Sequence, residues 1–371
     1  SATVVNKAGL IETVGSGEPR IDYKDDVNGA LLLEPQRTNF ILNSEDIITG
    51  WSAINTTVQN NQTISPDGTL NAALSTTTST VGNHASFETL AGVLTAGSDN
   101  YISGFVKKST TRYIRLNEGY VNDVVTFDLD TQTFVITQGS PTNIIFEDYG
   151  NGWYRIGYKF VADVSGSTQF VLYINDNTNN TSYGGNGEAV YLWGAQIEAG
   201  SYPTSYIPTQ GGAVTRLEDL AFNAGNEQVI NSTEGTLYAE IAATSDASGN
   251  RIISISDGTS QNRVTVQYSA VSNQVKASVS SNGVVTVSEV FVVTDVLDFH
   301  KIAIKYKLDD FALWVDGVER GTDVSGAIPI GLSELAFDNG NGTSKFKGKV
   351  KDVRVYNTAL TDNELQKLTT I

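Results

Sequence analysis

Short segments in which side chains alternate between two faces, each cut off by turn residues, run through this chain from end to end. In YISGFVKKS, Tyr101, Phe105 and Lys107 alternate with Ile102, Val106 and Lys108, and in RYIRLNEG, Ile114 and Leu116 oppose Tyr113 and Arg115. A period of two places residues i and i+2 on one face, so each segment reads as a strand. VVTFDLDTQTFVITQ predicts a hairpin around Asp130, Thr131 and Gln132, and NGWYRIGYKF starts a strand directly after the Asn151-Gly152 turn. Stripes with the 3.6-residue helical period are nearly absent. The exception is TALTDNELQKL, where Thr361 and Glu364 form a capping box and Leu360, Leu365 and Leu368 supply an apolar stripe. The expectation is an all-β chain of two β-sandwich or jelly-roll domains in tandem, with one short C-terminal helix.

With 371 residues the chain can bury two full cores. AGSYPTSYIPTQGGAVTR holds Pro203, Pro208, Gly211 and Gly212 and few strand formers, and the β pattern resumes at GTLYAEIAAT. This divides the sequence into a polar segment 1–30 read as a docking arm, a first sandwich over 31–210, a linker over 211–234 and a second sandwich over 235–371. Within ALLLEPQRTNFILN, Pro35 stops any helix. The stretch reads as an edge segment ALLLEP, a turn, and NFILN as the first strand of the first sandwich.

Charge excludes some functions. Lys and Arg number 24 against 41 Asp and Glu, a formal charge of −17, and no basic patch offsets the field that would repel nucleic acid. The chain has no Cys, which removes disulfides, thiolate metal sites and cysteine nucleophiles. No run of 18 apolar residues predicts membrane insertion. The lack of Met, at position 1 as elsewhere, leads us to expect a processed product or a piece of a longer chain.

Two ordered sets of motifs carry a resemblance. Through LLLEPQRTNFILNSEDI, TFDLDTQT, EDYGNGWYRI and YLWGAQIEAGSYPTSYIPT, residues 31–208 resemble the carbohydrate-binding-module-like jelly rolls of bacteriophage tail and particle proteins. Through HKIAIKYKLDDFALWVDGVERGTD and FKGKVKDVRVYNTALTDNELQKL, residues 235–371 resemble laminin-G or concanavalin A-like sandwiches. The resemblance implies a virion protein on the particle surface, such as a tail fibre, spike or head decoration. It would bind host-surface polysaccharide, dock to other virion proteins through residues 1–30, and form a symmetric homo-oligomer such as a trimer. A purely structural decoration or connector protein is the alternative.

Sugar binding requires flat aromatic faces and a few fixed polar groups. The candidates are Tyr183, in the glycine-rich loop NNTSYGGNGE, with Trp51, Tyr101, Tyr113 and Tyr158; Trp153 and Trp193 read as core. The resemblance also implies a structural Ca²⁺ between the first and last strands of the first sandwich. Glu45 and Asp46 at its start, and Gln196 and Glu198 at its end, are placed to hold one, since the ion takes oxygen ligands. The plainer reading of Gln196 and Glu198 is a strand end facing solvent. Asp257, Asp338 and Asp352 are weaker ligand candidates, and DNGNGTS reads as a turn. His84 and His300 lie in different domains and no nucleophile elbow, zinc-binding helix or phosphate loop occurs, so no enzyme is expected. A glycan depolymerase built on two carboxylates is the minor reading.

Overall fold

The computed structural model describes residues 2–120, 123–246 and 249–371, so that Ser1 of the expected arm lies outside the described residues. The fold is nearly all β, with antiparallel sheets and one short helix. The chain forms two compact units, the first made of residues 2–29 and Gln36–Leu217, the second of Ala30–Pro35 and Glu218–Ile371.

The first unit is a sandwich of two six-stranded sheets. One runs in the order Thr133–Gln138, Val124–Asp128, Tyr113–Asn117, Gly166–Ile174, Ala85–Leu94 and Ser52–Ile54. The other runs Thr142–Asp148, Trp153–Val161, Asp99–Lys108, Ala189–Ala199, Leu70–Thr77 and Thr56–Ile64. Their inner faces interdigitate through Ile102, Val106, Ile156, Leu192 and Ile197 from one side and Leu116, Val125, Phe127, Phe170 and Leu172 from the other. Such alternation is what a two-faced strand produces.

The second of these sheets is apolar on its outer face as well. Phe105, Trp153, Trp193 and Tyr206 form a separate buried cluster there, and Val5 and Ile11 pack on it. Exposing so large an aromatic surface to water is costly, and a hairpin of Ala2–Val5 and Ile11–Val14 joins the cover. The Thr3 hydroxyl donates to Tyr206 O at 2.5 Å, and Arg20 donates to Thr3 O at 2.6 Å and Ser205 Oγ at 2.7 Å. Residues 2–29, expected as a projecting arm, are therefore part of the first unit, fixed by burial of Val4, Val5 and Ile11.

The second unit pairs strands in the order Val318–Asp323, Phe311–Val315, His300–Lys307, Glu234–Ala243, Gly348–Tyr356 and Ala30–Leu33, facing a sheet of Val284–Val292, Gln274–Ser281, Arg263–Tyr268, Arg251–Ser256 and Glu334–Ala336. Its core includes Ile253, Val264, Val266, Ala277, Ile304 and Leu313. The helix Asp362–Thr369 starts at the expected box, with Thr361 N–H donating to Glu364 Oε2 at 2.9 Å. Leu365 is buried against Tyr238, Ala303, Ala312 and Trp314. Among the described residues no helix is long and apolar enough to cross a membrane.

The unit boundary departs from the sequence reading at ALLLEP. Ala30–Leu33 is a strand of the second unit, with Leu33 opposite Gly348, Leu32 opposite Lys349 and Leu31 opposite Val350. Leu33 sits in the second core, and Glu34 N–H donates to Asp219 Oδ2 at 2.8 Å. The physical reason is that three consecutive leucines need apolar surface on both faces of a strand. The chain then returns to the first unit, where the strand is Arg37–Asn39 and not NFILN, paired with Val214–Arg216 from the expected linker.

Two buried carboxyls of the first unit give it a pH dependence. Burial pushes Glu88 up to about 7 against the pull of the Leu42 and Asn43 N–H groups. It does the same to Glu118, also to about 7, with the Thr168 hydroxyl and Tyr120 N–H opposing and Asp123 and Asp163 adding to the rise. Both bind protons more tightly folded than unfolded, so their contribution is present in acid and is lost as pH rises from the unfolded value near 4.5 through 7. Urea unfolding of the first unit is expected to show falling stability across that window, and Glu88→Gln to flatten the slope; an unchanged slope would count against Glu88 as a source. Leu33→Ala is expected to lower the stability of the second unit by about 2–5 kcal/mol, read from its denaturant transition.

Candidate functional site

The chain around Asn39 is held by its buried side chain. Asn39 Nδ2 donates to Ala195 O at 3.1 Å and Ile207 O at 2.9 Å, and its Oδ1 accepts from Ile41 and Ile197 N–H. This ties residues 39–41 to the closing strand and to segment 204–209. Ser44 continues the seam, accepting from Thr209 N–H at 2.9 Å and sharing a hydrogen bond with Tyr206 OH at 2.6 Å. Glu45 and Asp46 are thus delivered to one rim of the first unit by fixed backbone.

Beside them lies a cleft of about 630 Å³ lined by Asn43, Glu45, Asp46, Asn60, Asn61, Asn71 and Gln210, with Pro208, Thr209 and Val214. Glu45 accepts from Tyr206 OH at 3.0 Å and from Asn71 Nδ2 at 3.1 Å. Burial raises its pKa, the Tyr206 hydrogen bond opposes the rise, and Asp67 adds to it. Asp46 lies below the usual carboxylate range: burial works against this, but hydrogen bonds from Thr49, Asn60 and Ile48 outweigh it. Asn60 Nδ2 reaches Asp46 Oδ1 at 2.5 Å. The amide nitrogens of Asn60 and Asn71 are spent on these carboxylates, while Oδ1 of each is shielded and accepts no hydrogen bond among the described residues. No Lys or Arg is among the residues lining the cleft. It presents oxygen acceptors, which suit hydroxyl donors or a hard cation.

Trp51 is half-buried beside this site, its Nε1 donating to Asn43 O at 3.0 Å and its ring edge-on to Phe170 at 5.6 Å. The other aromatic candidates are elsewhere. Tyr101 and Tyr158 are fully buried and donate to Asn143 O at 2.6 Å and Asp123 O at 2.8 Å, so neither offers a face to a sugar. Tyr113 lies under the Arg112 guanidinium, 4.8 Å from its ring. Tyr183 packs on His84 at 4.6 Å and donates to Ile174 O at 3.1 Å.

Gln196 and Glu198 are not brought to Glu45 and Asp46 as a ligand set, and they do not face solvent. Both are fully buried. Gln196 donates to Glu198 Oε1 at 2.7 Å and accepts from Ile207 N–H at 2.8 Å; Glu198 accepts from Thr204 N–H at 2.9 Å and Thr204 Oγ1 at 2.6 Å. Gly194, at φ +63°, marks a bulge opposite Gly104 that shifts the alternation by one residue, so Trp193, Gln196 and Glu198 share the outer face. That face turns polar to fasten the segment crossing it. In the second unit, Asp257 accepts from Thr259 and Asn262, and Asp338 from the Gly340 and Gly342 N–H groups, as loop-closing side chains do. No group of three or more His, Cys, Asp or Glu suited to a metal occurs among the described residues.

The sequence reading missed Asn60, Asn61 and Asn71. The signal was the pair Asn60-Asn61 inside the strand Thr56–Ile64, since asparagine is a poor strand former. Asn61 adopts φ +59° at a break in register between Gln59 and Thr63, and both asparagines line the cleft.

Comparison with known proteins adds a family for one part of the chain. No curated protein matches. Among solved structures, the chain is similar to the CBM40 of a Ruminococcus gnavus IT-sialidase bound to α2,3-sialyllactose, at 17% identity over 41% of this chain and 94% of that one, with a TM-score of 0.34. It is similar to domains LG4-5 of the mouse laminin α1 chain, at 9% identity over 93% of this chain and 92% of that one, with a TM-score of 0.27. Trypanosoma rangeli sialidase is similar at 12% identity over 85% of this chain and 62% of that one, with a TM-score of 0.30. At such scores the likeness carries no information on ligand or activity. Residues 219–366 match the model of the concanavalin A-like lectin/glucanases superfamily, and the second unit contains a concanavalin A-like, laminin-G-like sandwich.

Proposed function

We propose that the protein binds glycans without cleaving them, and that the cleft of the first unit takes a neutral, hydroxyl-rich sugar. The observation that carries this reading is the cleft's lining of carboxylate and amide acceptors, two of them unpartnered, with no cationic side chain. Sugar hydroxyls donate to such oxygens. A carboxylate-bearing or sulfated sugar would meet Glu45 and Asp46 with nothing to neutralise it. The family match of the second unit, to lectins and glucanases, supports a carbohydrate ligand and leaves a depolymerase as the lesser reading.

Two finer proposals accompany this one. The resemblance of the ordered motifs to those of bacteriophage particle proteins is what favours a place on a virion surface, where weak sugar contacts would gain from multivalency. Calcium is the candidate cofactor of the same cleft. The carboxylates of Glu45 and Asp46 and the free amide oxygens of Asn60 and Asn71 are the hard donors this ion takes, and bound there it would offset the acidic charge and order the rim.

A glycan array probed with the multimerised protein is expected to favour neutral over sialylated or sulfated sugars. Asp46→Ala and Asn71→Ala should each weaken binding about tenfold, roughly 1.4 kcal/mol. Absence of binding to any glycan would sink the proposal, and release of reducing ends from a bound polysaccharide would replace it with the enzymatic one. If calcium is the cofactor, chelation reduces binding and Glu45→Gln makes the protein indifferent to chelator; equal binding with and without chelator removes the ion.

A further inference from the structure

The strand Thr133–Gln138 ends its sheet, pairing only with Val124–Asp128 among the described residues. Every residue from Thr131 to Ser140 is exposed, including Phe134 at 43%, Val135 at 62% and Ile136 at 46%. A free edge is a template for another strand, and proteins blunt it with charge, proline, bulges or brevity. Other ends of sheets in this chain are blunted. Thr142–Asp148 breaks register between Thr142 and Ile145, with Asn143 at φ +49°, and closes on Glu147 and Asp148. Thr56–Ile64 has the irregularity at Asn61, and Ser52–Ile54 and Glu334–Ala336 have three residues each. Val284–Val292 carries Glu289, and Val318–Asp323 carries Glu319, Arg320 and Asp323. Thr133–Gln138 has one bulge, at its far end, where Thr137 is the extra residue between Ile136 opposite Val125 and Gln138 opposite Val124, leaving Thr133 to Ile136 regular.

The sequence from Thr133 to Thr137, Thr-Phe-Val-Ile-Thr, which ends on the bulged residue, is close to a palindrome. Phe134 and Ile136 lie opposite the core residues Phe127 and Val125, hence on the inner face, and Thr133 and Val135 lie on the outer one. If two copies join edge to edge with their inner faces on the same side, the two-fold axis stands perpendicular to the sheet, and opposed residues must both be even-numbered or both odd. The register centred on Val135 meets this rule. It sets Phe134 against Ile136, Thr133 against Thr137 and Val135 against itself, the aromatic with β-branched and threonine pairs that stabilise sheets. Shifting the centre to Phe134 sets Ile136 against Gln132, and shifting it to Ile136 sets Phe134 against Gln138. No charged side chain lies between Asp130 and Glu147, and the centred register places Asp130 opposite Ser140. Copies of a chain with charge −17 repel each other, so a contact free of opposed carboxylates is the kind they can form.

We propose that Thr133–Gln138 pairs antiparallel with the same strand of a second copy of this chain, about a two-fold axis at Val135. The contact is short and so weak, and it brings two glycan clefts into one particle.

Because the chain has no Cys, a single introduced cysteine reports the axis. Self-opposed Cα atoms in an antiparallel pair are about 4.5–5.5 Å apart, within disulfide reach. Val135→Cys under mild oxidation is expected to give a covalent dimer at least tenfold faster than Val324→Cys, at a position 79% exposed in the second unit. Sedimentation across a concentration series should show a monomer–dimer equilibrium that Val135→Lys abolishes while leaving the circular dichroism unchanged. Equal cross-linking of the two cysteine variants, or a dimer that Val135→Lys does not weaken, overturns the proposal.

Discussion

A buried carboxylate holding down a strip of backbone underlies much of the first unit. Glu198 has its oxygens occupied by Thr204 and Gln196, with the Arg37 guanidinium 3.7 Å away. A charge removed from water must be met by donors or a counter-charge, and this one has both. Segment 204–209 is thereby laid across the outer face of its sheet, where Tyr206 joins Phe105, Trp153 and Trp193. The N-terminal hairpin rests on that cluster, and Tyr206 OH reaches over to Glu45 in the cleft. Cover, aromatic cluster and cleft rim are fastened by the same short stretch of chain.

The cleft owes its character to a different economy of groups. Each carboxylate there is partly satisfied by an asparagine amide nitrogen, while the amide oxygens are shielded and accept no hydrogen bond among the described residues. Asparagine serves both ends at once, since it donates to a fixed anion and keeps an acceptor for something else. An aspartate in its place would add repulsion, and an alanine would remove one of the donors each carboxylate has.

Much of the fold was legible because alternation and turns are local. YISGFVKK lies within the strand Asp99–Lys108, WYRIGYKF lies within Trp153–Val161 directly after the Asn151-Gly152 turn, and the capping box in TALTDNELQKL starts the helix. What escaped was non-local. Three leucines at 31–33 announce a strand buried on both faces and do not say which sheet receives it. Gln196 and Glu198 alternate as an exposed strand end would, and only the segment crossing above them shows that they are interior. Glu45 and Asp46, which both line the candidate cleft, were named through the resemblance, as acidic residues after the first strand where a structural ion is implied. Asn60 and Asn71 were not, because a site assembled from neutral amides on two neighbouring strands has no charge pattern to mark it. Tyr101 and Tyr158 looked like sugar-stacking residues because sequence cannot tell a tyrosine whose hydroxyl reaches a backbone carbonyl inside the sandwich from one that reaches water.

The strand Ala30–Leu33 also sets an order of events during synthesis. Leu33 leaves the ribosome 315 residues (348 − 33) ahead of its partner Gly348. Until then the three leucines lack this neighbouring strand, although residues on both sides of them can already be folding. Closing so long a loop makes this pairing a late step, reached after local hairpins have formed. Through that interval the nascent chain carries the apolar tetrapeptide Ala30–Leu33 without the late strand Gly348–Tyr356 that completes its place in the second sandwich.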